Sequence, residues 1–267
     1  MLNINIFIRR LILITAVLPL WACGAGDDNS GLPSAEKAFL DKQKTNVLVE
    51  MSLKEMFSDP DARKLASLAG NGRVEDLRVL VGKGVVVDSK GAGNATPLFW
   101  AMKKRNLEGF GELLRLGANP NVIYSDGGTP MHWGVEIPNV EYLALALQHG
   151  GNPDLVAGML EETPIFSSIS YDNRVDRSKH FDLLVEAGAN LDFQRQYGDT
   201  PLMHAIKLER LDFASRILTH NVDCSIKNEY GSDAQSLLDK KIKRYSNSKA
   251  SKKWIQFKRK YSRCFIK

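Results

Sequence analysis

Thr96-Pro97-Leu98-Phe99 comes back as Thr129-Pro130-Met131-His132, Thr163-Pro164-Ile165-Phe166 and Thr200-Pro201-Leu202-Met203, at spacings of 33, 34 and 37 residues. A second phrase keeps the same beat: Gly84-Val85, Gly117-Ala118-Asn119, Gly150-Gly151-Asn152, Gly188-Ala189-Asn190 and the degenerate Asn221-Val222-Asp223. Two markers on one period indicate tandem repeats.

The chemistry of one unit follows from its caps. Thr before Pro places a side-chain oxygen at the N-cap and a ring without an N–H at the first helical position, so a short helix is predicted to start there. From Asn106 to Gly117 the apolar residues Leu107, Phe110, Leu113, Leu114 and Leu116 recur at helical spacing, and Gly117 suits a left-handed stop. Residues 118 to 128 crowd Asn, Pro, Asp and Gly together, which predicts a turn or a two-stranded finger leading into the next Thr-Pro.

Helix, turn, helix and finger with these markers resemble the ankyrin repeat, whose Thr-Pro-Leu-His start and Gly-Ala-Asp-Val-Asn finish are closely reproduced over residues 58 to 245. The resemblance implies an all-α ankyrin-repeat solenoid of about six units with degenerate terminal ones. Repeat one starts near Ser58-Asp59-Pro60 and lacks Thr-Pro-Leu. The last puts Asp233-Ala234 in its place. Of the family's His positions only His132 is filled; Phe99, Phe166 and Met203 stand in the others. Ser170 to Ser178 is a polar excess that predicts an enlarged loop between the helices of its unit.

Before the repeats, residues 1–22 carry Arg9 and Arg10, an apolar run from Leu11 to Leu20, and then Trp21-Ala22-Cys23. That order reads as a secretory signal peptide, too short to span a membrane as a helix. Cys23 resembles the lipobox cysteine of bacterial lipoproteins, which implies acylation at Cys23. Gly24 after it implies outer-membrane sorting, facing the periplasm. An ordinary signal peptide and an uncleaved anchor are the other readings. Residues 23–57 then form a Gly- and Asp-containing tether and a lead-in of short helices. Met51 and Met56 read either as packing residues or as internal starts of an unexported form.

From Asp239 onward the chain holds 12 Lys or Arg against one acid, a net charge of +11. The whole chain carries +5 and residues 1–22 carry +2, so residues 23–238 hold −8. Within the tail, 246–267, Trp254, Phe257, Tyr261 and Phe265 interleave with the cations, predicting an amphipathic helix over Trp254 to Phe265. Three readings stay open for its basic face: solvated while the helix docks on the last repeat, in contact with anionic lipid, or in contact with a partner. With Cys23 acylated, Cys224 and Cys264 remain as an even pair in an oxidising compartment, able to bridge if their Cα atoms come close.

No His-x-x-x-His, Cys-x-x-Cys, Gly-x-Ser-x-Gly or phosphate-binding glycine loop occurs, so no catalytic or metal-ligating residues are assigned, no cofactor is expected, and the chain is not read as an enzyme. Nucleic acid is not an expected partner for an exported chain. The ankyrin resemblance implies a concave protein-binding face made by loop tips and first helices, carried here by Ile123, Tyr124, Asp126, Glu136, Met159, Leu160, Glu162, Tyr171, Tyr197, Asp199 and Tyr230. Met159 and Leu160 have the alternative of tucking under the enlarged loop. Trp100 and Trp133 share a repeat position and are read as core residues. Small ankyrin lipoproteins resemble the immunity partners of phospholipase effectors of type VI secretion systems. That implies a protein partner of that class; an outer-membrane-tethered scaffold or protective partner of a resident periplasmic enzyme is the alternative.

Overall fold

The computed structural model describes residues 47–158, 160–169, 176–246 and 248–265. Residues 1–46, which include the segment read as a signal peptide, Cys23 and the expected tether, lie outside the described residues, as do Met159 and Tyr171. The described residues are helical, with fifteen α-helices and no strand among them. Helices α1 (Val47–Glu50) and α2 (Leu53–Met56) lead in; Met56 is buried against α3, in keeping with the packing reading. Five helix pairs follow. They are α3 (Pro60–Gly70) and α4 (Val74–Gly82), α5 (Pro97–Lys104) and α6 (Leu107–Arg115), α7 (Pro130–Glu136) and α8 (Glu141–Gln148), α9 (Pro164–Ser168) and α10 (Ser178–Glu186), and α11 (Pro201–Lys207) and α12 (Leu211–Ile217). Three helices close the chain: α13 (Ala234–Arg244), α14 (Lys249–Lys260) and α15 (Ser262–Phe265).

The caps explain the register. The hydroxyls of Thr96, Thr129 and Thr200 accept from the backbone N–H groups of Phe99, His132 and Met203 at 3.4, 3.2 and 3.4 Å. Where the repeat is degenerate an aspartate takes over: Asp59 accepts from Ala62 at 2.7 Å and Asp233 from Ser236 at 2.8 Å. Each such bond stabilises its helix by about 1 kcal/mol. Thr163 departs from the pattern, making no cap bond and burying its hydroxyl without a partner.

Packing runs between neighbours. The first helices α3, α5, α7, α9, α11 and α13 stack in chain order, and α4, α6, α8 and α10 form a second row behind them. Phe181 of α10 meets Phe213 of α12 edge-on at 5.5 Å, which carries that row one unit further. One apolar cluster consequently extends from Leu65 in the first pair to Phe265 in the last helix. Trp100 is buried and Trp133 partly so, both packed on one apolar cluster: Trp133 sits edge-on to Phe99 at 5.3 Å, and Trp100 lies under Lys103.

A second ladder ties the units where each loop leaves its helix. Asp88 accepts from the N–H of Asn119 at 3.1 Å, Asn121 from Asn152 at 2.7 Å, Asp154 from Asn190 at 2.8 Å and Asp192 from Asp223 at 3.0 Å. Within each unit Asn119, Asn152, Asn190 and Asp223 also accept from the residue two ahead, at 2.8 to 2.9 Å, so each turn presents the next acceptor. Asp154→Ala leaves the Asn190 N–H without its partner and is expected to lower unfolding free energy by about 1 kcal/mol, whereas Asp154→Asn retains an acceptor. Urea titration of the two variants checks this, and equal midpoints for both would contradict it.

Of the two readings offered for the loops, the turn is the one found: among the described residues the loops are closed turns and the one bridge is an isolated pair, Ala157 with Glu162. One expectation is corrected here. The predicted helix over Trp254 to Phe265 starts earlier and breaks: Ser248 caps α14 through the Ser251 N–H at 3.3 Å, and the chain turns at Tyr261 before α15. Trp254, Phe257 and Phe265 are buried against the last unit, and Arg263 donates to the carbonyls of Leu218 and His220, both at 2.8 Å. Cys224 and Cys264 are joined with Cα atoms 5.4 Å apart, fixing α15 to the loop after α12.

Candidate functional site

The loops between units are built alike when counted back from each capping residue. Five positions before the cap, a backbone N–H donates to the carbonyl just before the cap: Gly91 to Ala95, Tyr124 to Gly128, Arg195 to Asp199 and Asn228 to Ser232, at 2.7 to 3.2 Å. The 157–162 loop closes the same way with one more residue, Ala157 to Glu162 at 3.1 Å. Two positions before the cap the backbone is left-handed in every loop: Asn94, Gly127, Glu161, Gly198 and Gly231, with φ between 48° and 80°. Glycine suits this place because it carries no Cβ penalty. At Gly198 there is a second reason, since a Cβ would sit 2.9 Å from the Cα of Asn228 in the next loop.

Adjacent loops are bonded to one another. Ser125 donates to the carbonyl of Gly93 at 2.9 Å, Gln196 to Leu160 at 2.8 Å and Glu229 to Tyr197 at 3.1 Å. In this way the turns form a row, and the positions three before each cap are Gly93, Asp126, Leu160, Tyr197 and Tyr230. Tyr230 is 72% exposed and Tyr197 47%, their ring centroids 6.5 Å apart. Beside them Glu161, Gln194, Arg195, Gln196, Lys227 and Glu229 line an open groove of about 420 Å³. Ile123 at 47% and Val156 at 38% add exposed apolar surface on the two loops before it.

Tyr197 itself is left-handed, with φ 69°. An aromatic residue there costs roughly 1–2 kcal/mol relative to glycine, and the exposed ring recovers little of it by burial.

The turn geometry sorts the sequence-predicted residues. Ile123, Asp126, Tyr197 and Tyr230 are exposed and Leu160 half-buried, all on the row. Tyr124, Glu162 and Asp199 are buried and Glu136 nearly so, which corrects their assignment to the binding face. Each is turned inward because it belongs to the machinery that holds a loop. Tyr124 packs edge-on against Phe99 at 4.9 Å. Glu162 accepts from Arg195 at 2.9 Å, linking the third and fourth loops, and Asp199 accepts from Lys207 at 2.7 Å and from the Asn228 amide at 2.8 Å, linking the fourth and fifth. Glu136 takes the buried Arg177 at 2.7 Å. Leu160 gives its carbonyl to the next loop. The role of Arg195 was missed altogether; a basic residue five positions before Thr200 that faces an acid one before Thr163 was the available signal.

His132 joins the start of its own helix to the next loop. The Thr129 hydroxyl lies 2.8 Å from Nδ1, and Nε2 lies 3.2 Å from the carbonyl of Glu162, contacts satisfied together when Thr129 donates to Nδ1 and the Nε2–H donates to the next loop. His180 reaches the Ile137 carbonyl at 3.0 Å in the same manner. Burial pushes the pKa of His132 down to about 4 and lowers those of His180 and His204. The unfolded imidazoles take up protons near their ordinary value of about 6.5 while the folded ones resist, so stability present above that pH is lost as pH falls from about 6.5 toward 4. Urea midpoints are expected to drop across that window, with a shallower drop for His132→Gln.

Among the described residues no cluster of three His, Cys, Asp or Glu side chains could hold a metal ion, and no helix is long and apolar enough to cross a membrane. No protein-family profile matches the chain. Part of it is similar to the curated protein Palmitoyltransferase ZDHHC17 of Danio rerio, 35% identical over 72 residues, and to that of Rattus norvegicus and of Homo sapiens, each 33% identical over 72 residues. The match takes in 26% of this chain in each case, and the chain spans only 11% to 12% of the length of these relatives.

Proposed function

We propose that the chain is an ankyrin-repeat array, carried on an N-terminus lipidated at Cys23, which grips a protein partner on its row of loop tips. Its partner would be a phospholipase effector of a type VI secretion system, and the chain its immunity protein at the periplasmic face of the outer membrane. The observation that carries the binding role is the pair Tyr197 and Tyr230: two exposed rings on neighbouring, hydrogen-bonded loops, one of them in a backbone conformation that the fold alone would give to glycine. Large aromatic side chains presented on a rigid support lose little entropy on binding and are the usual anchors of protein interfaces.

The mechanism is steric. The row lies across the mouth of the enzyme and keeps lipid out, and the tether raises the local concentration at the surface where that enzyme works. The chain acts here as a binding protein and not as an enzyme. The 72-residue likeness to the palmitoyltransferase is about two periods of the 33 to 37 residue beat, so it supports shared repeat units and carries no transferase chemistry. The test is to mix the purified full chain with the phospholipase encoded beside its gene. Stoichiometric loss of lipid hydrolysis is expected; full activity with no complex on gel filtration would refute the reading.

A further inference from the structure

The three closing helices carry a feature that partner binding on the loop tips leaves unused. Helix α14 is fixed on one side. Ser251, Trp254 and Phe257 are buried, α15 beyond it is held by Phe265, Arg263 and the Cys224–Cys264 bridge, and Lys258 pairs with Asp239 at 2.6 Å. With that side fixed, the other is fixed too. Lys249, Lys252, Lys253, Gln256, Arg259 and Lys260 fall at i, i+3, i+4, i+7, i+10 and i+11, and all six are exposed. Lys243 and Arg244 at the end of α13 are exposed as well.

No carboxylate among the described residues bridges Lys249, Lys252, Lys253 or Arg259. Other cations of the tail are held: Lys240 by the Ser232 hydroxyl at 3.1 Å, Lys241 by Glu209 at 2.7 Å, Lys258 by Asp239 and Arg263 by the carbonyls of Leu218 and His220. A helix of 12 residues is about 18 Å long, so the free cations form a straight stripe of that length at one end of the stack.

We propose that this stripe is a docking surface for the anionic headgroups of a lipid bilayer. Two observations favour a membrane over nucleic acid. Of the tail's aromatic rings, Trp254, Phe257 and Phe265 are buried in the core and Tyr245 and Tyr261 are half-buried, so the stripe offers charge with no fully exposed ring on which a base could stack. Its charges are mostly ammonium groups in one line at the end of an otherwise acidic body, so a flat surface meets the cations while the acidic units stay away from it. Each basic side chain near an anionic surface adds to the attraction, and the sum falls within a Debye length and with added salt. The proposal stands without the immunity reading.

The test is co-sedimentation of the full chain with vesicles of phosphatidylcholine alone and of phosphatidylcholine mixed with phosphatidylglycerol, for the natural chain and for Lys252→Glu, Lys253→Glu, Arg259→Glu combined. All three positions are exposed, and an unchanged thermal midpoint confirms that the variant folds. The natural chain is expected to partition to the anionic vesicles, the triple variant about a hundredfold less, and salt to abolish the difference. Binding by the N-terminal lipid or apolar segment would be equal on both vesicle types and in both chains. Equal partitioning of the two chains to anionic vesicles overturns the proposal. So does a duplex oligonucleotide that displaces the natural chain from them at equal phosphate concentration.

Discussion

Replacing Tyr197 and Tyr230 together by alanine is expected to weaken partner binding by about a hundredfold or more while the fold survives unchanged, since truncating interface anchors of this kind costs about 2–4 kcal/mol. The two rings stand at the same place in neighbouring turns, and the Glu229 N–H to Tyr197 carbonyl bond fixes one turn against the other. The rings are exposed in the free chain, so truncation removes little buried area and leaves stability within about 0.5 kcal/mol. Tyr197→Gly makes a sharper version. It relieves the left-handed strain, so its thermal midpoint is expected to rise while its affinity falls. A substitution that stabilises the fold and harms binding is the signature of a residue kept for the partner. Calorimetric titration and thermal unfolding of the same preparations read both numbers, and a Tyr197→Gly chain that binds normally would remove Tyr197 from the interface.

The second large effect lies at the other end of the molecule. Cys224→Ser with Cys264→Ser opens a loop of sequence separation 40, and the chain-entropy estimate for a closure of that length is about 4 kcal/mol. The loss should be local. The stack holds by contacts between neighbours, so α13 to α15 are expected to open first while the pairs from α3 to α10 keep their protection. Hydrogen exchange resolves this: faster exchange confined to residues after about Leu218 is the expected pattern, and uniform acceleration along the chain would mean the units are not separable. The bridge also holds the cationic stripe in place, so the reduced chain should bind anionic vesicles less selectively.

The repeat was legible because capping and helix spacing are local: Thr before Pro and apolar residues three and four apart need no knowledge of neighbours, and they located the starts of α5, α7, α9 and α11. The ladder from Asp88 through Asp192 was half visible. Its donors Asn119, Asn152 and Asn190 stood out as part of a recurring phrase, but the acceptors two residues later vary between Asn and Asp and are recognised only when one unit is laid beside the next.

The binding face was legible as a region and not residue by residue. Tyr124 and Tyr230 look equivalent in sequence, and so do Asp126 and Asp199. What separates them is a turn of five residues that lifts the third position before the cap into solvent and folds the fifth and the first beneath it. The left-handed Gly127, Gly198 and Gly231 mark that turn, and counting from Gly198 would have placed Asp199 inside. The break at Tyr261 was not readable, because the helix ends where docking on α12 requires it and not where a breaker residue stands.

The claim on which the functional account rests is that the row of loop tips meets the partner. Hydrogen exchange of the full chain, free and saturated with the phospholipase effector proposed as its partner, tests it most directly. Added protection is predicted in the turns at 91–95, 124–128, 160–162, 195–199 and 228–232, with the outer helices α4, α6 and α8 unchanged. Protection on those outer helices, with the turns left as they were in the free chain, would contradict it.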